Sequence, residues 1–345
     1  MSAIREAAVV QLRPRRLAAR KPRLGFLGVG WIGRTRMQAL VDASVAEVVA
    51  IADLDPALAR QAAQSGGART CTSMEALLQQ RLDGVVIATP SALHAGQAMV
   101  ALEHGSAVFC QQPLARTAAE AARVVAAAHA HDRLLGVDFS YRRVAGLAAL
   151  REQIRAGELG ELYAIDLTFH NAYGPDKAWF YDVTQSGGGC VMDLGVHLID
   201  LAMWITGCTR AEQVEAHLYQ HGRRLLSPLA VPEDYASVQY QVGNGACVRL
   251  TCSWRLPAGA DAVIEASFYG TRGGASLRNV AGSSYDFTLD RLDGTGRRRL
   301  ASPPDAWGGR ALVDWASRLA LDGRFDPAAR RFVDVAAIVD RIYGR

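Results

Sequence analysis

Leu24-Gly25-Phe26-Leu27-Gly28-Val29-Gly30-Trp31-Ile32-Gly33 decides the fold, because a short apolar run opens directly into G-x-G-x-x-G. Gly28 permits a tight strand-to-helix turn, Gly30 lets the backbone approach a pyrophosphate, and Gly33 lets the new helix pack closely on the strand. The N-terminus of that helix, starting around Trp31 and Ile32, would offer free N–H groups and a partial positive charge to phosphates. A second apolar run, Glu47 to Ala52, ends in Asp53, twenty residues after Gly33. A carboxylate there can accept hydrogen bonds from both ribose hydroxyls and would repel a 2′-phosphate, so the pattern favours NAD over NADP.

Outward from this turn, short β-rich runs alternate with helical ones as far as about residue 140. The strands expected are Leu24 to Leu27, Val48 to Ala52, Gly84 to Ala88, Ala107 to Cys110 and Leu134 to Phe139. Ser91 to His104 and Thr117 to His131 read as helices, the second opened by the capping box Thr117-x-x-Glu120. Such alternation implies an α/β, doubly wound parallel sheet covered on both faces.

After Tyr141 the grammar changes. A helix near Arg143 to Ala156 is followed by a period-two strand in which Tyr163, Ile165, Leu167 and Phe169 share one face. Strands Ala236 to Val242 and Ala246 to Arg255 flank Gly243-Asn244-Gly245, a hairpin signal. Further runs lie near Glu212 to Tyr219, Val263 to Tyr269 and Tyr285 to Leu289, and helices near Arg310 to Leu321 and Ala328 to Tyr343 close the chain. The expected organisation is a basic extension over 1–22, a dinucleotide-binding domain over 23–141, and an α+β domain with an open, mostly antiparallel sheet over 142–345. The last helices have the option of packing back on the first domain.

The chain has 345 residues, half of them hydrophobic, enough for about two domains. Its net charge of +4 is misleading, since residues 1–23 contribute +6 and leave the remainder at −2. The basic arm has no interleaved aromatics, so no nucleic-acid partner is expected. No apolar stretch reads as the roughly 20 residues of a membrane span, and no signal sequence is recognised, so a cytoplasmic protein is expected. Six scattered cysteines form no C-x-x-C pair and suggest buried thiols.

Ligands on doubly wound sheets sit beyond the carboxyl ends of the strands. Thr89-Pro90, His94 one turn into the next helix, and Gln111-Gln112-Pro113 are therefore candidates to line the cofactor cleft. In Gly187 to Asp200, a glycine-rich lead into an apolar helix, Asp193, His197 and Asp200 are spaced i, i+4, i+7 and should share a face. A carboxylate and an imidazole one turn apart can orient a hydroxyl and move its proton; a buried structural Asp-His bond is the plainer alternative. A metal site from Cys190, Asp193 and His197 lacks an obvious fourth ligand, and none is expected.

Together these motifs, from the glycine turn through Asp53, Ala88-Thr89-Pro90 with His94, and Asp193-Leu194-Gly195-Val196-His197-Leu198-Ile199-Asp200, resemble the Gfo/Idh/MocA family of sugar and cyclitol oxidoreductases. The resemblance implies an N-terminal Rossmann domain binding NAD and a C-terminal sheet domain whose open face makes a homodimer or homotetramer. It further implies a cis Gln112-Pro113 bond and a substrate-facing Asp193 and His197. The family's E-K-P is here Gln111-Gln112-Pro113, and its lysine acts on the substrate hydroxyl beside the nicotinamide. Gln112 hydrogen-bonds but exchanges no proton near neutrality.

The expected function is NAD(H)-dependent hydride transfer at a carbinol carbon of a sugar, sugar acid or cyclitol-like substrate. His197 would be the acid/base, Asp193 its orienter, and Gln112 the holder of the substrate oxygen. Tyr141, Arg142, His170, Lys177 and Trp179 are further substrate-binding candidates, with Lys177, one of only two lysines, a candidate replacement ammonium. The alternatives are a weakened or non-catalytic dinucleotide- or sugar-sensing protein, and a lyase or epimerase using NAD transiently.

Overall fold

A computed structural model describes residues 20–227, 230–243 and 245–345. Most of the basic arm and the hairpin's Asn244 lie outside the described residues; Arg20, at the arm's end, pairs with Asp83 at 2.8 Å.

The first sheet contains β1 (Arg23–Leu27), β2 (Glu47–Ala52), β3 (Arg69–Cys71), β4 (Gly84–Ile87), β5 (Ala107–Cys110) and β6 (Leu135–Val137). Its order is β3-β2-β1-β4-β5-β6, all parallel. Strands buried on both faces read as continuous apolar runs, which is why β4 and β5 are plain in the sequence. β3 has two of its three residues exposed and lacks that signal. Helices α1 (Trp31–Ala43), α2 (Pro56–Gly66), α3 (Met74–Leu78), α4 (Ser91–Glu103) and α5 (Ala118–Ala130) make the crossovers. In the α5 cap, Thr117 accepts from the Glu120 N–H, while the Glu120 carboxylate accepts from Arg116 N at 3.0 Å.

The remaining elements are α6 (Leu147–Arg155), β7 (Leu162–Asn171), α7 (Val183–Ser186), α8 (Val196–Thr206), β8 (Ala211–Gln220), β9 (Arg223–Arg224), β10 (Tyr235–Val242), β11 (Ala246–Ser253), β12 (Ala262–Gly270), β13 (Gly273–Asn279), β14 (Phe287–Asp293), β15 (Gly296–Ala301), α9 (Arg310–Leu321) and α10 (Arg330–Tyr343). The second sheet runs β15-β14-β13-β12-β7-β11-β10-β8-β9 and is antiparallel except where β7 meets β11. One detail departs from the expected alternation. Tyr269 pairs with Ala164 and Gly270 with Leu162, so Tyr163 sits in a bulge and is exposed rather than sharing the buried face of Ile165.

α9 returns to the first sheet. A Cβ on either Gly84 or Gly136 would stand 2.7 Å from the Trp315 ring, so glycine in two strands makes room for that indole. The helical stretch Val183–Thr206 is long and apolar enough to cross a bilayer by length and composition, contrary to expectation, but 83% of its most apolar window is buried inside the protein. It serves as the core helix under the second sheet, and its glycine lead places Asp193 and His197 at the junction of the two halves.

Candidate active site

The three motif glycines divide by the space around them. Gly28 has φ +87°, and a Cβ there would lie 2.5 Å from the Ala88 carbonyl oxygen; a Cβ on Gly33 would collide with the carbonyl of Gly28. Both are required by the fold itself. Gly30 has nothing within 4 Å of its would-be Cβ, and α1 begins directly after it with no side-chain cap. Open space above uncapped helix amides fits a dinucleotide pyrophosphate. Asp53 accepts from Val29 N (2.7 Å) and Asp55 N (2.8 Å), which fixes the carboxylate beside the turn and leaves lone pairs for ribose hydroxyls.

A cleft of about 570 Å³ runs from this turn to the second half of the chain. Trp31, Ile32, Thr89, Pro90, Gln111 and Gln112 line one side, and Asp193, His197, Trp254, Lys177, Trp179 and Phe180 the other. Gln112-Pro113 is cis. His94 lines the cleft as expected but is buried, with Nδ1 2.7 Å from Pro113 O and Nε2 2.7 Å from Thr89 O. Its single ring N–H donates to one of these two carbonyls, and the ring packs between the two strand ends. Trp179 and Phe180 stack at 3.8 Å, and Lys177 is exposed on the rim beside Asp176.

Asp193 lies in a π-helical turn, Val191–Gly195, that precedes α8. Its carboxylate accepts from Trp254 Nε1 at 2.9 Å, and no hydrogen bond joins it to His197. The turn is anchored from below by Glu233, which is 1% exposed and accepts from Gly189 N, Val191 N and Tyr343 OH at 2.8–2.9 Å. Burial pushes the Asp193 pKa up to about 6, opposed by the Trp254 bond, and pushes His197 down to about 4. At neutral pH the imidazole is uncharged and Asp193 is the group that titrates nearby. His197 Nδ1 and Gln112 Oε1 are buried without a protein partner, while Gln112 Nε2 donates to the Asp193 backbone carbonyl at 3.3 Å.

Several expected site residues stand elsewhere. Arg142 donates to Asp200 through Nε at 2.6 Å and also through Nη2, so the third member of the helical stripe neutralises an arginine off the cleft. Tyr141 is buried among His197, Phe169, Phe287 and Trp307, one layer behind. His170 points from β7 to Ser253 Oγ on the neighbouring β11 at 2.8 Å. Period-two and helical spacing assign faces, but not which face meets the cleft. Conversely, sequence reasoning does not single out Trp254, Glu233, Arg36 or Asp138. A tryptophan closing an apolar strand is a weak cue for the first; the others depend on contacts remote in sequence.

Residues 22–139 match the model of the oxidoreductase family with an NAD-binding Rossmann fold, and residues 147–276 match the GFO/IDH/MocA C-terminal domain. The chain belongs to the Gfo/Idh/MocA oxidoreductase family. Residues 22–139 are that family's NAD-binding domain. Among Gfo/Idh/MocA relatives, it is 32% identical over 185 residues to the rhizopine catabolism protein MocA of Rhizobium meliloti, a match that covers 54% of this chain and 57% of that one. It thus spans little more than half the length of that relative. Identity to D-glucoside 3-dehydrogenase of Escherichia coli K12 is 28% over 245 residues, 67% of this chain and 69% of the other. A solved structure of GenD2 from gentamicin A biosynthesis, in complex with NAD, superposes with a TM-score of 0.77 at 24% identity, covering 94% and 95% of the two chains.

Proposed function

We propose that the protein is an NAD(H)-dependent oxidoreductase acting on a carbinol carbon of a sugar, sugar acid or cyclitol-like substrate, with Asp193 moving the proton. One observation carries the substrate class. Gln112 and His197 line the cleft, and each carries a buried acceptor-capable atom, Oε1 and Nδ1, with no protein partner. Leaving such an atom unmet costs roughly 1–3 kcal/mol, which hydroxyls of a bound ligand would offset. The stacked Trp179 and Phe180 offer an apolar face for the ring of such a ligand.

In the oxidising direction Asp193, ionised above pH about 6, takes the substrate hydroxyl proton. Trp254 holds that carboxylate in place through its indole N–H. Gln112 and neutral His197 hold substrate hydroxyls and transfer no proton themselves. NAD, when bound, supplies the acceptor for the hydrogen and electron pair leaving the carbinol carbon. The proton and the hydride together account for the two hydrogens lost as alcohol becomes carbonyl. A general base near neutrality is what this step needs, and on this reading Asp193 takes the place of the family's lysine. D-glucoside 3-dehydrogenase, a relative at 28% identity, supports a sugar ring as substrate.

The exposed face of the second sheet carries polar pairs such as Asp166–Arg249, and we assign it to contact with a second copy of the chain, tested by light scattering after gel filtration. The functional test is NADH formation on mixing with NAD and a panel of sugars and cyclitols. Turnover with a rising limb near pH 6 supports the reading. Absence of turnover, with NAD still bound, favours the non-catalytic alternative.

A further inference from the structure

Beneath the Gln111-Gln112-Pro113 loop lies a closed polar network that the reaction scheme above does not use. Asp138, at the end of β6, is 1% exposed. Its Oδ2 accepts from Arg36 Nε at 2.6 Å and from Gln111 Nε2 at 2.8 Å; its Oδ1 accepts from the Ser140 hydroxyl, which in turn accepts from Arg36 Nη2 at 3.1 Å. Arg36 comes from α1 and is 7% exposed; Gln111 is 8% exposed. A carboxylate this deep persists only when a cation and donors meet its lone pairs.

We propose that Asp138, neutralised by Arg36, is the positioning residue of this loop: it requires a donor at position 111 and thereby aims Gln112 into the cleft. The loop is held at both ends. Gln111 is tied down by Asp138, and the Pro113 carbonyl packs 2.7 Å from His94 Nδ1. Gln112, between them, lines the cleft, reaches the Asp193 carbonyl through Nε2 and keeps a buried, unpartnered Oε1. An acid at position 111 would put a second carboxylate against Asp138, and two such groups in contact cannot both ionise. The amide at 111 and the Arg36–Asp138 pair are therefore one unit.

The test is Gln111→Glu, Asp138→Asn and the double variant, each followed by kcat/KM and by the Kd for NAD against pH, at temperatures below the measured Tm of every variant. The groups around this point are Arg36, Asp138 and Cys110 from the first half, His197 and Asp193 from the second, and Tyr141 and Tyr285 beside Arg36. At low pH the protonated carboxyl introduced by Gln111→Glu donates to Asp138 as the amide does. As pH rises and that carboxyl ionises, repulsion displaces the loop, and kcat/KM should fall roughly 10- to 100-fold, with a parallel rise in Kd, in a limb the parent lacks. Asp138→Asn alone strands Arg36 and should lose kcat at all pH values. The double variant exchanges donor and acceptor and should recover to within about threefold of the parent.

A Gln111→Glu protein with the parent's pH profile and Kd, or a double variant no better than Gln111→Glu, overturns the proposal. The turnover readout rests on the function proposed above, whereas the Kd profile does not. If the parent turns over nothing in the panel, that functional reading fails while the Kd profile still decides the clamp.

Discussion

The Trp254 indole donates to the Asp193 carboxylate at 2.9 Å, joining the end of the β11 strand to the π turn before α8 across 61 residues of sequence. Burial raises the Asp193 pKa and this bond lowers it, so the balance between them sets the value of about 6. Trp254→Phe keeps most of the packing against Phe180 and Tyr181 but removes the N–H. The pKa should then rise further, and the acidic limb of kcat/KM in the oxidising direction should move to higher pH. A pH profile with the parent's limb would separate Trp254 from Asp193 ionisation.

Asp193→Asn removes the titrating group itself. Loss of a positioned base typically lowers rates on the order of 10²–10⁴-fold. Kinetics on Asp193→Asn should show that loss in kcat together with disappearance of the limb near pH 6, and NAD affinity within a few-fold of the parent.

Gly28 and Gly30 should respond differently to alanine. Gly30→Ala meets open space and should leave urea unfolding within roughly 0.5 kcal/mol of the parent. Its new methyl occupies the place expected for pyrophosphate, so calorimetry should show weaker NAD binding. Gly28→Ala must hold φ +87° against the Ala88 carbonyl and should cost about 1–3 kcal/mol of stability.

Tyr343, near the end of α10, donates to buried Glu233 at 2.8 Å, and Glu233 in turn accepts from the amides that start the π turn. Tyr343→Phe should cost roughly 1–3 kcal/mol in chemical denaturation because a buried acceptor loses its donor. Burial raises the Glu233 pKa above its ordinary value, so the folded state holds a proton that the unfolded state releases first. Stability attributable to Glu233 should therefore decline as pH rises from the ordinary glutamate range through the raised value, and the decline should extend to higher pH in the variant, since Tyr343 helps stabilise the ionised form.

The glycine turn, Asp53 and the parallel strands are legible because each rests on a local rule: backbone clearance at Gly28 and Gly33, and continuous apolar runs where both sheet faces are covered. Asp193 and His197 are legible as a polar interruption of an apolar helix. Their division of labour is not, because it depends on burial and on Trp254, and the π turn breaks the simple i, i+4 pairing. Asp200 shares the helical stripe by spacing and Arg142 follows the last strand of the first sheet, yet the two satisfy each other away from the cleft. Exposed strands such as β3 and β15 lack the apolar run that marks a strand.

Stopped-flow absorbance at the NADH band, with NAD, a panel of sugars and cyclitols, and buffers spanning roughly pH 5 to 8 around the Asp193 titration, tests the central claim most directly. NADH should form with at least one ring substrate, at a rate that climbs as pH passes about 6 and no longer does so in Asp193→Asn. Binding of NAD with no NADH at any pH, and turnover gained only in Gln112→Lys, would contradict it.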